Sequence, residues 1–236
     1  MNDICFSQKE LLEIHVRALF TMDSDSKLVS INEPWDSTKI APRFYIGKTL
    51  NGTIIYRFRY DIPEKIINLL ENFINGENCE NNDFSFKYLI EYLRILGTDN
   101  YFSEVCYYGK NYLQEYYNNC NKITVENIKN YELNGLEWLK DEIMYCQPCF
   151  GLIENKQVVS LCMSVRITEN AHEAGIETIE NYRGRNHAKN VLSAWMKEIQ
   201  NSNCLALYST NTKNKSSQRV AEKAFLDKYA IGISIE

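Results

Sequence analysis

The stretch Glu173–Gln200, EAGIETIENYRGRNHAKNVLSAWMKEIQ, constrains this chain more than any other. It reads as a strand, a tight polar turn and a helix. Ala174–Ile179 is short and mixes β-branched with apolar residues. Asn181–Asn186 is loop-like, with Gly184 between Arg183 and Arg185. From Ala188 onward Val191, Leu192, Trp195 and Ile199 recur at spacings of three and four, which is one face of a helix. A turn of this kind leaves the first backbone N–H groups of the helix without intrahelical acceptors, and the helix dipole adds partial positive charge there. The two arginines contribute full charges within three residues. The combination suits a phosphate-bearing ligand; the alternative is an ordinary connection whose arginines are solvated.

Residues 182–188, Tyr-Arg-Gly-Arg-Asn-His-Ala, resemble the acetyl-coenzyme A motif Q/R-x-x-G-x-G/A of the GCN5-related N-acetyltransferase (GNAT) family. Arg183 matches the first position and Ala188 the last, and Asn186 stands where the family has glycine. Asn accepts positive φ better than most residues, so the turn can survive. Downstream, Leu205–Ser209 reads as a strand, and Asn214-Lys-Ser-Ser217 resembles the N-x-x-S/A start of the helix that follows it in the family. The resemblance covers roughly residues 101–236. The pattern NEPW…APRFYIGKT, from Asn32 onward, resembles a two-domain bacterial subgroup, which implies an N-terminal accessory domain.

The resemblance implies a fold: α+β, with a mixed, mostly antiparallel sheet flanked by helices and a smaller α/β unit before it. The expected division is 1–100 for the accessory unit and 101–236 for the acetyltransferase unit. It also implies an activity, transfer of an acetyl group from acetyl-CoA to a primary amine of a small molecule or peptide by direct attack on the thioester. The backbone at Thr178 and Ile179 is expected to hold the pantetheine arm. The N–H groups of Arg183, Gly184, Arg185, Asn186, His187, Ala188 and Lys189 would cradle the pyrophosphate, and Asn214 and Ser217 would flank the cofactor across the cleft.

A general base has two candidates, Glu173 and Glu177. They lie four apart on one strand and so share a face, about 13 Å from each other, which is too far to touch one amine together. The family position, some ten residues before the first motif arginine, favours Glu173; Glu177 is nearer the acetyl position and could orient the amine. Either could instead pair with an arginine such as Arg166. The family's thiolate-protonating tyrosine falls at Ala221 here, leaving Tyr208, or Tyr182, as substitutes, and the usual Gly-Phe after this helix is Phe225-Leu226. These departures keep open a catalytically silent module that binds or senses acyl-CoA. An unrelated phosphate-binding regulatory domain is a third reading, but no GxxxxGK[ST] or GxGxxG stretch supports a nucleotide site.

Composition narrows the remainder. The chain has 236 residues, a net charge of −5 and 24% charged residues. An acidic balance argues against a general nucleic-acid binder. No apolar run of eighteen residues occurs, and MNDICFSQKE is too polar for a signal sequence, so a cytoplasmic protein is expected. Eight scattered cysteines are expected to be reduced thiols. Cys146-Gln-Pro-Cys149 lacks a second pair or neighbouring histidines, so no metal site is expected. His15 and His172 belong to no motif. The acceptor amine and the oligomeric state are not written in these residues.

Along the first hundred residues, helical periodicity covers Glu10–Phe20, and strands are expected at 27–31, 44–48 and 53–60, with Asn51-Gly52 turning the last two into a hairpin. Asp61 is expected to cap a helix carrying Pro63 in its first turn, and Phe86–Leu96 to form another ended by Gly97. The Asn-rich stretch 75–82 reads as a loop. The proline-punctuated loops around Trp35 and Arg43 could shape a pocket, although such a Trp more often packs on a strand. Residues 98–110 read as a polar, aromatic connection. Helices are expected after Thr124 and over 136–144, then strands at 149–153 and 157–167, the latter, VVSLCMSVRI, continuous enough to be central. A strand at 205–209, a helix at 216–226 and a strand at 229–235 complete the order.

Overall fold

The computed structural model describes residues 6–77, 86–110 and 120–236. Helix α1 (Gln8–Leu19) opens with a capping box in which Ser7 and Glu10 satisfy each other's groups. A two-stranded ribbon, β1 (Phe20–Met22) and β2 (Leu28–Ile31), follows. Strands β3 (Phe44–Thr49) and β4 (Ile54–Phe58) form the expected hairpin, with Gly52 at φ 86°. Helices α2 (Glu64–Ile74) and α3 (Leu89–Leu96) come next, α3 closed by left-handed Gly97. Asp61 does not cap α2; its carboxylate is held 2.7 Å from Arg59, and Pro63 occupies the cap position. Of the Asn-rich loop, residues 78–82 lie outside the described residues.

The remaining elements are β5 (Tyr101–Tyr108), β6 (Cys120–Ile123), a four-residue α4 (Leu139–Glu142), β7 (Cys149–Glu154), β8 (Gln157–Ile167), β9 (Ala171–Thr178), α5 (His187–Asn201), β10 (Leu205–Asn211), α6 (Lys215–Lys223) and β11 (Asp227–Ile235). The helix expected after Thr124 is only a single 3-10 turn at Ile128–Asn130, and Asn127 accepts from the Thr124 N–H instead.

Nine strands make one sheet in the order β4-β3-β11-β5-β10-β9-β8-β7-β6. Every neighbouring pair is antiparallel except β10 with β9. Two expectations change. Residues 98–110 are not a connection: β5 is a central strand between β10 and β11. Nor does a break in the sheet accompany the boundary expected at 100/101, because β3 and β4 join the same sheet through β11. The alternation of β5 explains its place. Val105 and Tyr107 enter the core on one face, and Glu104 and Cys106 point into the other.

Helices α2, α3, α5 and α6 cover the first face, where Trp195 is wholly buried and its indole N–H donates to Ser164 Oγ at 3.1 Å. Helix α1 covers the second face over β3, β5 and β11, so close that a Cβ on Gly47 would sit 2.9 Å from the Leu12 side chain. Trp35 packs with α4 and β8 on this side, and Arg43 donates to the carbonyl oxygens of Leu96 and Glu236; neither lines the main cleft. Among the described residues no helix is long and apolar enough to cross a membrane.

Candidate functional site

The site begins where a sheet rule is broken. Parallel pairing of β9 with β10 covers only Ala171–Glu173 against Leu205–Leu207. Beyond that point the strands splay, and the last five residues of β9 keep β8 alone as a neighbour. The register with β8 tells which backbone groups are left over. The Ile179 N–H donates to Val159 at 3.0 Å, so the residues bonded to β8 are the odd ones, and Ile176 and Thr178 direct their N–H and C=O groups into the gap. The Thr178 carbonyl there accepts from Arg183 Nε at 3.2 Å. Ile179 faces the other way: its amide is spent on β8, and its side chain packs against the cluster that contains Val158 and Leu161. Ile176, which no motif marks, has its backbone groups on the gap side and lines the cleft.

A cleft of about 650 Å³ opens at the gap, between the end of β9, the start of α5 and α6. Its floor and walls include Ile176, Glu177, Thr178, Tyr208, Asn214 and Ser217. The turn leading into α5 has the left-handed geometry that brings backbone N–H groups to one side. Gly184 has φ 78° and open space where a Cβ would be, and Asn186 has φ 65° at the position of the expected glycine. Asn186 tolerates this conformation at modest cost, and its Oδ1 accepts from Lys223 Nζ at 2.8 Å. Helix α5 then presents the amides of His187, Ala188 and Lys189 at its N-terminus, all three residues lining the cleft. Asn214 caps α6 by accepting from the Ser217 N–H at 3.1 Å.

Charge follows the same geometry. Arg183, Lys189, Arg219 and Lys223 all line the cleft. Arg219 and Lys223, four apart on α6, were invisible as site residues because the sequence motif stops at Ser217. Arg185 is the exception among the motif cations. Its guanidinium lies over the Tyr182 ring, 5.3 Å from the centroid, and donates to the Asn181 carbonyl, outside the cleft lining.

The two strand carboxylates part company. Both are on the α1 side of β9, as alternation requires, but Glu177 is exposed at the cleft and Glu173 is buried. Ser209 Oγ donates to Glu173 at 2.5 Å, and His15 Nε2 lies 3.9 Å away. Glu173 therefore does not reach the cleft, and its strand partner Arg166 pairs with Glu33 at 3.1 Å instead. Tyr208 lines the cleft while 5% exposed; burial pushes its phenol up to about 12, opposed by a hydrogen bond with Ser217. Ala221, where a tyrosine was expected, is wholly buried in the core. The six described cysteines are free thiols; burial raises Cys146 to about 11, and its Sγ donates to the Glu142 carbonyl, so 146–149 is a packing element.

Residues 145–225, which contain the splayed strands, the turn and α6, match the family model described as GNAT acetyltransferase. Through this segment the chain is similar to the GNAT family. Among solved structures, an acetyltransferase of the GNAT family from Colwellia psychrerythraea superposes with a TM-score of 0.51 at 13% identity, covering 98% of each chain. A GNAT-family protein from Novosphingobium aromaticivorans gives a TM-score of 0.49 at 12% identity over 58% of this chain, which spans 64% of that protein's length. A GCN5-related N-acetyltransferase-like protein from Streptococcus suis is 14% identical with a TM-score of 0.42, over 85% of this chain and 86% of its own. No curated protein matches the sequence. The Colwellia likeness extends the shared GNAT fold over nearly the whole chain, including β3, β4 and α1. The family's chemistry is acyl transfer, and the cleft lies inside the matched segment.

Proposed function

We propose that this GNAT protein is an acetyl-CoA-dependent N-acetyltransferase acting on a primary amine. The observation that carries the reading is the gap between β9 and β10, which opens directly onto the left-handed turn and the α5 N-terminus. The cofactor's chemistry fits these residues. Its pantetheine amides would extend the sheet at Ile176 and Thr178, as an added strand does. Its pyrophosphate would take the amides from Gly184 to Lys189, with Arg183 and Lys223 supplying charge.

Acetyl-CoA supplies an activated thioester; the chain supplies position and proton transfer. Glu177, the carboxylate at the cleft, accepts a proton from the ammonium and orients the resulting amine. The amine attacks the thioester carbonyl, and the carbon–sulfur bond breaks. Tyr208 keeps its proton throughout the physiological range and is placed to donate it to the departing thiolate. Glu173 acts only behind the strand. The acidic chain suits a cationic acceptor.

The burial of Glu173 and the alanine at 221 favour a second reading, an acyl-CoA-binding module without turnover. Calorimetric titration with acetyl-CoA separates the possibilities. The expected result is micromolar binding, reduced at least tenfold in Arg183→Glu and little changed in Arg185→Glu. Release of CoA thiol with an amine panel, abolished in Glu177→Gln, identifies the enzyme; binding without release leaves the silent module. Absence of binding by the wild-type protein would sink both readings.

A further inference from the structure

On the opposite face of the sheet from α5, three side chains from two distant parts of the chain meet in burial. His15 comes from α1, and Glu104 and Cys106 lie two apart on β5. One nitrogen, one oxygen and one sulfur from this trio lie within 4.8 Å of one another. The His15 Nδ1 is engaged by the Tyr229 hydroxyl, which leaves Nε2 directed at Glu104 Oε1, 3.9 Å away. Neither Nε2 nor that oxygen has a hydrogen-bond partner, and the wholly buried Tyr45 hydroxyl beside them has none either. Glu173 Oε1 stands 3.9 Å from the same Nε2.

Buried polar atoms without partners cost folding free energy, so three together require an explanation. The Tyr45 hydroxyl is a donor within reach of Glu104. It satisfies one contact and leaves the others open. A close-packed apolar filling is also ruled out by composition, because Gly232 clears the space: a Cβ there would lie 2.6 Å from the Tyr45 hydroxyl and 2.8 Å from Glu104 Oε1.

We infer that His15 Nε2, Glu104 Oε1 and Cys106 Sγ form a binding site for a divalent transition metal of the zinc class, clipping α1 to the centre of the sheet. Nitrogen, thiolate sulfur and carboxylate oxygen are the donors that Zn²⁺ prefers. One thiolate and one carboxylate with a neutral imidazole give a charge of −2, which the metal cancels. Tyr229 on Nδ1 is the outer partner that fixes the ring and its tautomer. Tetrahedral bonds of about 2.0–2.3 Å place ligand atoms roughly 3.3–3.8 Å apart, so the trio closes by rotamer adjustment of about 1 Å. Glu173 lies beside the trio as a further anionic oxygen. The inference is independent of acyl-CoA chemistry.

The test uses the full chain, stripped with a chelator and titrated with Co²⁺ and then Zn²⁺. The expected result is one equivalent bound, with tetrahedral cobalt absorption, a thiolate-to-cobalt charge-transfer band, and a rise of several degrees in melting temperature. Cys106→Ser should lose the charge-transfer band, whereas Cys146→Ser should retain it. Circular dichroism reports whether Cys106→Ser folds; if it does not, Glu104→Gln decides, with metal affinity at least tenfold weaker. No stoichiometric binding by the wild-type chain overturns the inference. So does a band unchanged in Cys106→Ser or moved by Cys146→Ser, or an affinity unchanged in Glu104→Gln.

Discussion

The cleft and the buried trio lie on opposite sides of β9 and are built on opposite principles. The cleft is made largely of backbone: an unpaired strand edge, a left-handed turn and the amides of a helix start. Many side chains can satisfy those geometries, which explains why Asn186 can stand where glycine is usual. The trio is made of side chains in full burial, and each atom there depends on the identity of its neighbours. A site of the first kind tolerates drift in sequence and leaves a local signature. A site of the second kind tolerates little and leaves none.

A small substitution at each should separate the two. Gly232→Ala places a methyl group against Tyr45 and Glu104, which have no space to retreat. We expect a loss of about 1–3 kcal/mol. Thermal denaturation should show a fall of roughly 2–4 °C per kcal/mol for a chain of this length. A melting temperature unchanged within a degree would mean that the cluster is looser than it looks.

On the cleft side, the backbone conformation of residue 186 matters and its side chain does not. Asn186→Gly should leave acetyl-CoA affinity within about twofold. Asn186→Val, a β-branched residue forced to φ near 65°, should lose roughly 1–2 kcal/mol of turn stability and about tenfold in affinity. Equal affinities for both variants, read by calorimetry, would show that the Asn side chain or its contact with Lys223 is what binds.

The smallest effect concerns Phe225, which adopts φ 56° just past α6 and is 62% exposed. Its amide closes the helix by donating to Glu222, while Leu226 donates to Ala221. Glycine fits that position without the Cβ clash, so Phe225→Gly should raise stability by about 1 kcal/mol, seen as a higher melting temperature. A decrease would assign the exposed ring a packing role.

Legibility in the sequence followed the same division. The strand–turn–helix at 173–200 and the start of α6 were readable because a few consecutive residues set the backbone there. The hairpin at Asn51-Gly52 was readable for the same reason. Residues 101–108 were not, because YFSEVCYY carries a glutamate and four aromatic rings in two adjacent pairs, a pattern shared by surface connections. Its central position is set by β10 and β11, both more than ninety residues downstream. His15 carried no motif, since its partners come from β5, β9 and β11. Glu173 illustrates the same limit: spacing placed it on one face of β9, but only α1 and Ser209 reveal that this face is closed at that point.

The position of β11 has a consequence for how the chain folds. It lies between β3 and β5, and its hydrogen bonds alone connect the β3–β4 hairpin to the rest of the sheet. Its partners sit about 120 to 190 residues earlier, so closing these pairings requires long loops to be ordered before any contact rewards them. The GNAT-matched segment can assemble from neighbours in sequence. Joining the N-terminal hairpin to it must wait for this strand, which makes β11 docking the natural slow step, and unpaired β3 and β5 edges the surfaces exposed to misassociation until it is complete.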